Sequence, residues 1–230
     1  PKEIKNHEYR VGLAPSSVRE VIAHGHNVQV QVNAGEGIGA TDADYRAVGA
    51  TIVEDPYQNF NAADMIVKVK EPLETERKLL REGQVLFTYL HLAPDPEQTT
   101  DLVESGAVCI AYETVTSPSG GLPLLAPMSK VAGRMAIQAG AHCLEHPHGG
   151  RGMLLGGVPG VDPGHVVIVG GGIVGANAAK MAIGTGASVT LLDVSLPRLR
   201  YLDDIHGSRL KTLMSNKFNL IESLRTADLV

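Results

Sequence analysis

Residues 164–193 read GHVVIVGGGIVGANAAKMAIGTGASVTLLD. Residues 166–169 are a short apolar run with strand character. They enter Gly170-Gly171-Gly172-Ile173-Val174-Gly175, a G-x-G-x-x-G. A helix-forming stretch follows at 176–183, then a second strand at 187–192, closed by Asp193. A glycine turn alone is common, but strand, turn, helix, strand and terminal acid together form a dinucleotide-binding βαβ unit. The first glycine permits the tight turn. The second lets backbone approach a pyrophosphate, and the third lets helix and strand pack closely. The helix N-terminus offers unpaired N–H groups and partial positive charge to the phosphates. Asp193 can accept from both hydroxyls of an adenine ribose and would repel a 2′-phosphate, so NAD is expected rather than NADP.

Outward from this unit the chain alternates strands and helices, the pattern of layered α/β folds. Upstream, strands are expected at 27–32, 50–54, 64–70, 84–90 and 107–113. Helices are expected at 41–48, 73–81 and 96–104, with Gly49 and Gly106 as stops. This series reads as one Rossmann-like domain. Residues 114–127 carry Ser, Pro and Gly and read as a linker. A long helix is expected at 129–145, joining two domains, and 149–164 is glycine-rich and irregular. Beyond the dinucleotide unit, helices are expected at 197–204 and 220–226 and a strand at 210–214. Residues 227–230 read as a further strand, echoing the one that opens at Ala63-Asp64. The expected architecture is α/β: two Rossmann-like, doubly wound domains with a cleft between them. Residues 1–126 would form the substrate domain; 127–230 would form the linking helix and NAD-binding domain. Such a domain needs strands past Val230, and the chain opens on Pro1, so a longer parent chain is expected.

Bulk properties narrow the function. The net charge of −5 provides no basic field for nucleic acid. No apolar run reaches bilayer length. Cys109 and Cys143 form no C-x-x-C pair, which fits a reducing cytoplasm. Aromatics are 4% of residues, too few for base- or sugar-stacking surfaces.

In open parallel sheets, ligands sit beyond the carboxyl ends of the strands. MIVKVK ends at Lys70, QVLFTYL precedes His91, and VCIAYE ends at Glu113. As neighbours, these strands would bring an ammonium, an imidazole and a carboxylate to one rim. Arg10, in the loop after a truncated first strand, could reach it too. Each residue has a plainer reading. Lys70 could be a solvated strand end, and Lys68, on the same face, could be the working lysine. His91 could be a core histidine, and Arg10 a surface residue of KEIKNHEYR. Glu113 reads as an orienting group. Ser129 could cap the linking helix or touch a cofactor phosphate. The Gly35–Gly39 stretch reads as a turn. His142, Cys143, His146 and His148 cluster near a helix end, with His142 and His146 on one face. No acidic further ligand or zinc spacing is apparent, so no metal is expected. There is no G-x-S-x-G, so a serine hydrolase has no support.

The chain resembles the alanine dehydrogenase family (with the transhydrogenase α-subunits) over essentially its whole length. The segments that carry the resemblance are PKEIKNHEYRVGLAP, MIVKVKEP, GQVLFTYLHLA, AYETV, LAPMS, VAGRMA, GGRGMLLGGVPGV, GGGIVGANAAKMA, LMSN and ADLV. The resemblance implies that Arg10 binds a substrate carboxylate, that Lys70 binds substrate and assists catalysis, and that His91 is the acid/base. It implies cofactor contacts at Ser129, Gly170, Gly172, Ile173, Val174, Gly175, Asp193 and Arg198. The implied reaction is NAD-dependent interconversion of L-alanine with pyruvate and ammonium, in a cytoplasmic homo-oligomer that is hexameric in the family. Two departures stand out. Lys130 replaces the acid that usually follows the serine, and the family's catalytic aspartate would lie past residue 230. A 2-hydroxy-acid dehydrogenase and a non-catalytic, transhydrogenase-type NAD module are the alternatives. The transhydrogenase subunit lacks the lysine and histidine in this form.

Overall fold

A computed structural model describes residues 1–230. The chain divides into two units, Pro1–Leu124 and Leu125–Val230.

The first unit runs α1 (Pro15–Ala23), β1 (Gln29–Gln31), α2 (Asp42–Ala47), β2 (Thr51–Val53), α3 (Pro56–Ala62), β3 (Met65–Val67), α4 (Glu74–Arg77), β4 (Val85–Thr88), α5 (Pro96–Glu104) and β5 (Val108–Ala111). Local chemistry sets the helix starts. Thr41 and Asp44 form a reciprocal cap at α2, and Gly49 reverses the chain after it at φ +97°. Asp55 and Asp95 cap α3 and α5, each followed by a proline at the first helical position. The strands of this unit form two parallel sheets, β1-β2 and β3-β4-β5. The edges of β1 and β3 do not pair; both line a cavity of about 700 Å³. Val18, Val30 and Tyr45 pack around the first sheet, and Phe60, Ile66, Leu86 and Leu102 around the second.

No strand forms in residues 1–9. Glu3 instead turns inward, its carboxylate accepting from the Val69 N–H at 2.6 Å. The helix expected at 73–81 shrinks to α4, whose Glu76 pairs with the buried Lys68 and whose Arg77 pairs with Asp101. Helices α1 and α3 had no expectation: their short apolar signals bury only Val18 in α1, and Asn59 and Phe60 in α3.

The second unit runs α6 (Ala126–Cys143), β6 (His165–Val169), α7 (Ile173–Thr185), β7 (Ser188–Asp193), α8 (Leu196–His206), β8 (Lys211–Met214) and α9 (Lys217–Leu224). All strands are parallel, in the order β8-β7-β6. On the other side of β6, Leu229 bridges Val166, and the Val167 N–H donates to the Leu229 carbonyl at 2.8 Å. This isolated bridge sets residues 228–229 alongside the edge of β6 that β7 leaves open. Helix α6 lies close against α7: a Cβ on Gly133 would fall 2.2 Å from the Val174 carbonyl oxygen. The core is built from Val166, Ile168, Ala178, Ala179, Ala182, Leu191 and Leu202. No helix is long and apolar enough to cross a membrane.

The glycine turn separates three physical roles. Gly170 adopts φ +99°, Gly172 has open space where a Cβ would stand, and a Cβ on Gly175 would sit 1.8 Å from the Gly170 carbonyl oxygen. Gly184, also in α7, has nothing within 4 Å of such a Cβ. Gly175→Ala is therefore expected to destabilise by about 1–3 kcal/mol through overpacking. Gly184→Ala should stabilise by about 0.4–1 kcal/mol. Denaturant unfolding of the two variants beside the parent checks both signs.

Candidate active site

Strands β3, β4 and β5 are direct neighbours, with Met65 opposite Val85 and Val85 opposite Val108. The chain stays paired past their ends: the Lys68 N–H donates to the Phe87 carbonyl and the Tyr89 N–H to the Val69 carbonyl. Lys70, His91 and Glu113 consequently stand on one rim.

Glu113 organises this rim. Its carboxylate accepts from the Leu90 N–H at 3.1 Å and the His91 N–H at 2.7 Å. The His91 Nδ1 lies 3.9 Å from it. These bonds hold His91 at φ +49°, a left-handed conformation uncommon for a residue with a Cβ. Burial pushes the Glu113 carboxyl up, but the N–H donors of His91 and Leu90 and the nearby imidazole outweigh it, leaving the group below the ordinary carboxylate range. The exposed His91 ring is stacked parallel to Tyr89 at 5.8 Å, and Tyr89 packs edge-on to Tyr112. The Tyr89 hydroxyl donates to the Leu124 carbonyl at 2.7 Å.

The two lysines of MIVKVK differ sharply. Lys68 is 1% exposed and pairs with Glu3 at 3.1 Å and Glu76 at 2.7 Å. It is a structural cation. Lys70 is half-buried on the rim, and its charge helps lower the Glu8 carboxyl. Arg10 sits in the same group. Its Nε and Nη2 donate to the two Glu8 oxygens at 2.8 and 2.7 Å. Hydrogen bonding from Arg10 holds Glu8 below its usual range against the opposing push of burial, and Glu8 in turn raises the guanidinium. The Arg10 charge also acts on Tyr89. The fork expected for a substrate carboxylate is thus already turned toward Glu8, and Arg10 brings the rim a fixed positive charge. Glu8 and Tyr89 were missed by sequence reasoning. The alternation in TYLH, which sets Tyr89 and His91 on one side, was the available signal for Tyr89.

In the second unit, Asp193 accepts from the Gly171 and Ser195 N–H groups, which hold its carboxyl below the ordinary range. Arg198 donates through Nε to the Gly171 carbonyl. Asp193 and Arg198 therefore brace the turn from both sides. A carboxylate has about four lone-pair positions, so two bonds leave capacity for a ribose. Ile173 and Val174 lie exposed at the start of α7, which carries no side-chain cap. The open face at Gly172 and this uncapped N-terminus fit a pyrophosphate. Ser129 does not cap α6. The helix begins at Ala126, and the Ser129 N–H donates to the Leu125 carbonyl inside the first turn. The histidine cluster also differs from expectation. α6 ends at Cys143, so His146 is off the helix, and Glu145 supplies an acid beside His142 and His148.

Two α/β units, one with a braced glycine turn and one with a cationic, imidazole-bearing rim, define a Rossmann-like α/β protein. The chain belongs to the alanine dehydrogenase/PNT family: the family's N-terminal domain matches residues 1–132 and its C-terminal domain residues 136–230. Alanine dehydrogenase from Halomonas elongata is 58% identical over the whole chain, and that from Bacillus subtilis 54%. The chain spans 62% and 60% of their respective lengths. A solved L-alanine dehydrogenase superposes with TM-score 0.93 at 52% identity, over 99% of this chain and 63% of that one. A transhydrogenase from Sinorhizobium meliloti shares the fold, with TM-score 0.80 at 22% identity over 99% of this chain and 66% of that one.

Lys68→Met should leave the Glu3 and Glu76 carboxylates buried without their cation and cost about 3–5 kcal/mol. Lys70→Met should leave the unfolding midpoint nearly unchanged. Denaturant titration of the pair separates the two roles. Glu113→Gln is expected to cost about 1.5–3 kcal/mol at neutral pH, the range for bonds to a charged acceptor. Because the folded-state carboxyl lies below its unfolded value, that contribution is complete above the unfolded pKa and is lost as pH falls through the folded one. The gap between wild type and variant, followed downward from pH 7, should begin to narrow as pH falls through the unfolded carboxylate range, about pH 4, and go on narrowing below it.

Proposed function

We propose that the protein containing this chain is an NAD-dependent alanine dehydrogenase. It would interconvert L-alanine, NAD and water with pyruvate, ammonium and NADH. One observation carries this reading: Lys70 and His91 stand at the ends of adjacent parallel strands, with Glu113 holding the backbone of His91. The identity to alanine dehydrogenases supports it.

The Lys70 ammonium and the Glu8-oriented Arg10 guanidinium would supply the positive charge that a small carboxylate substrate needs. Lys70 would also stabilise negative charge developing on the carbonyl oxygen. Gly170, Gly172, Ile173, Val174, Gly175 and Asp193 would hold NAD, with Arg198 braced on Gly171 and Ser129 assigned by resemblance, and the bound cofactor would supply an acceptor for the Cα hydride. In deamination His91 would take a proton from water as it adds to the iminium carbon, then give it to the carbinolamine nitrogen as the C–N bond breaks, ammonia leaves and the hydroxyl loses its proton to give pyruvate. In the reverse direction His91 would protonate the carbinolamine hydroxyl as water leaves. Imidazole suits both directions because its ordinary pKa lies near neutrality. Stacking on Tyr89 and the backbone anchor at Glu113 would hold the ring in register. A cytoplasmic homo-oligomer, hexameric as in the family, completes the proposal.

The experiment is NADH oxidation by the complete protein, with pyruvate and ammonium together and then each alone. Consumption only with both is expected. Consumption with pyruvate alone would replace the proposal with a 2-hydroxy-acid dehydrogenase. NADH binding without turnover would replace it with a transhydrogenase-type module. His91→Ala should lower the rate about 10²–10⁴-fold. A near-parental rate would remove His91 from the acid/base role.

A further inference from the structure

The end of α6 carries a cluster that the proposed reaction does not use. His142 lies in the last turn of the helix, and Leu144 follows as its C-terminal cap. Glu145 then opens a 3₁₀ turn, His146–His148, closed by Gly149 at φ +84°. The backbone folds back tightly. The Glu145 N–H donates to the His142 carbonyl, and those of His148 and Gly150 to the Glu145 carbonyl. The Gly152 N–H donates to the Leu144 carbonyl at 2.8 Å. A Cβ on Gly150 would fall 2.2 Å from the Leu144 carbonyl carbon, so no larger residue fits this path. His146 is used within the loop, its Nδ1 2.9 Å from the Gly150 carbonyl oxygen.

This path brings ligand atoms of His142, Glu145 and His148 within 4.8 Å of one another. His142 Nδ1 is 3.8 Å from Glu145 Oε1, and His148 Nε2 is 3.7 Å from Glu145 Oε2. Tetrahedral zinc at about 2.0–2.1 Å from each ligand needs donor separations of about 3.4 Å. The three side chains are exposed, and the two imidazole rings already lie 3.8 Å apart between centroids, so closing on a cation requires their rotation but no movement of the backbone.

The geometry points to a binding site here for a divalent late-transition cation of the zinc type, held by His142, Glu145 and His148, with water in the remaining position. Two imidazoles and a carboxylate are a donor set for zinc, copper or nickel. Magnesium and calcium favour all-oxygen sets. The carbonyl end of α6 adds partial negative charge beside the cation. Bound metal would join the last turn of α6 to the loop after it by coordination, in addition to the backbone bonds and ring contact already present.

The test uses the complete protein, with any affinity tag removed and metal stripped. Zinc chloride is titrated by calorimetry, and the thermal midpoint is followed with and without zinc. Wild type is expected to take up one zinc per chain more than a His142→Ala/His148→Ala variant. Zinc should raise the midpoint of wild type and of Cys143→Ser but not of the double variant. Magnesium should do neither. Glu145→Gln, which keeps both imidazoles, should weaken the site by about tenfold or more, and it serves as the test if the double variant does not fold. Equal zinc uptake by wild type and these variants would overturn the assignment. So would loss of uptake in Cys143→Ser with retention in the double variant, which would identify a thiol site instead.

Discussion

The first unit depends on one buried ammonium. Lys68 is enclosed between the Glu3 and Glu76 carboxylates, and Glu3 also takes the N–H groups of Val69 and Lys70. Buried charges are tolerated only when paired and hydrogen-bonded. Here that requirement ties three distant pieces of chain together: the irregular opening segment, the end of β3 and the short helix α4. Because Glu3 grips the backbone at Lys70, the segment that carries Glu8 and Arg10 is brought to the end of β3. The rim's positive charges are placed by a salt bridge beneath them that itself faces no ligand.

Backbone donors do comparable work in both units. Glu113 accepts from Leu90 and His91 beside the imidazole, and Asp193 accepts from Gly171 and Ser195 beside the glycine turn. In each case a carboxylate at the C-terminal end of a parallel strand holds a neighbouring turn by its N–H groups. Both carboxyls lie below their ordinary range, so both remain ionised acceptors at neutral pH. A carboxylate fixed to backbone loses little conformational freedom when a ligand arrives, which suits a site that must be formed in advance.

How much of this was legible follows from the range of the interactions. The βαβ unit was readable because its strand, turn, helix and acid are contiguous, and its glycines have the conformational roles that their spacing demands. The rim was readable in outline because strand ends carry the polar residues of a parallel sheet. What separates Lys68 from Lys70 was not readable: two lysines two positions apart look alike until Glu3 and Glu76 select one for burial. The hold of Glu8 on Arg10 is local in sequence, yet it depends on the absence of a strand in residues 1–9. The missed acid at Glu145 has a similar cause. A histidine-rich run can continue a helix or break from it, and only the break after Cys143 brings His142, Glu145 and His148 together.

The position of β6 also sets an order of assembly. Its partner β7 follows after a single helix, so β6, α7 and β7 can dock once residue 193 has emerged from the ribosome. The opposite edge of β6 waits for Leu229, bonded to His165 and Val167 across more than sixty residues. Until that segment emerges from the ribosome, a strongly apolar strand presents an unpaired edge able to recruit a strand from another nascent chain. α6, already made and packed close on α7 through Gly133, covers one face in that interval but cannot pair the edge.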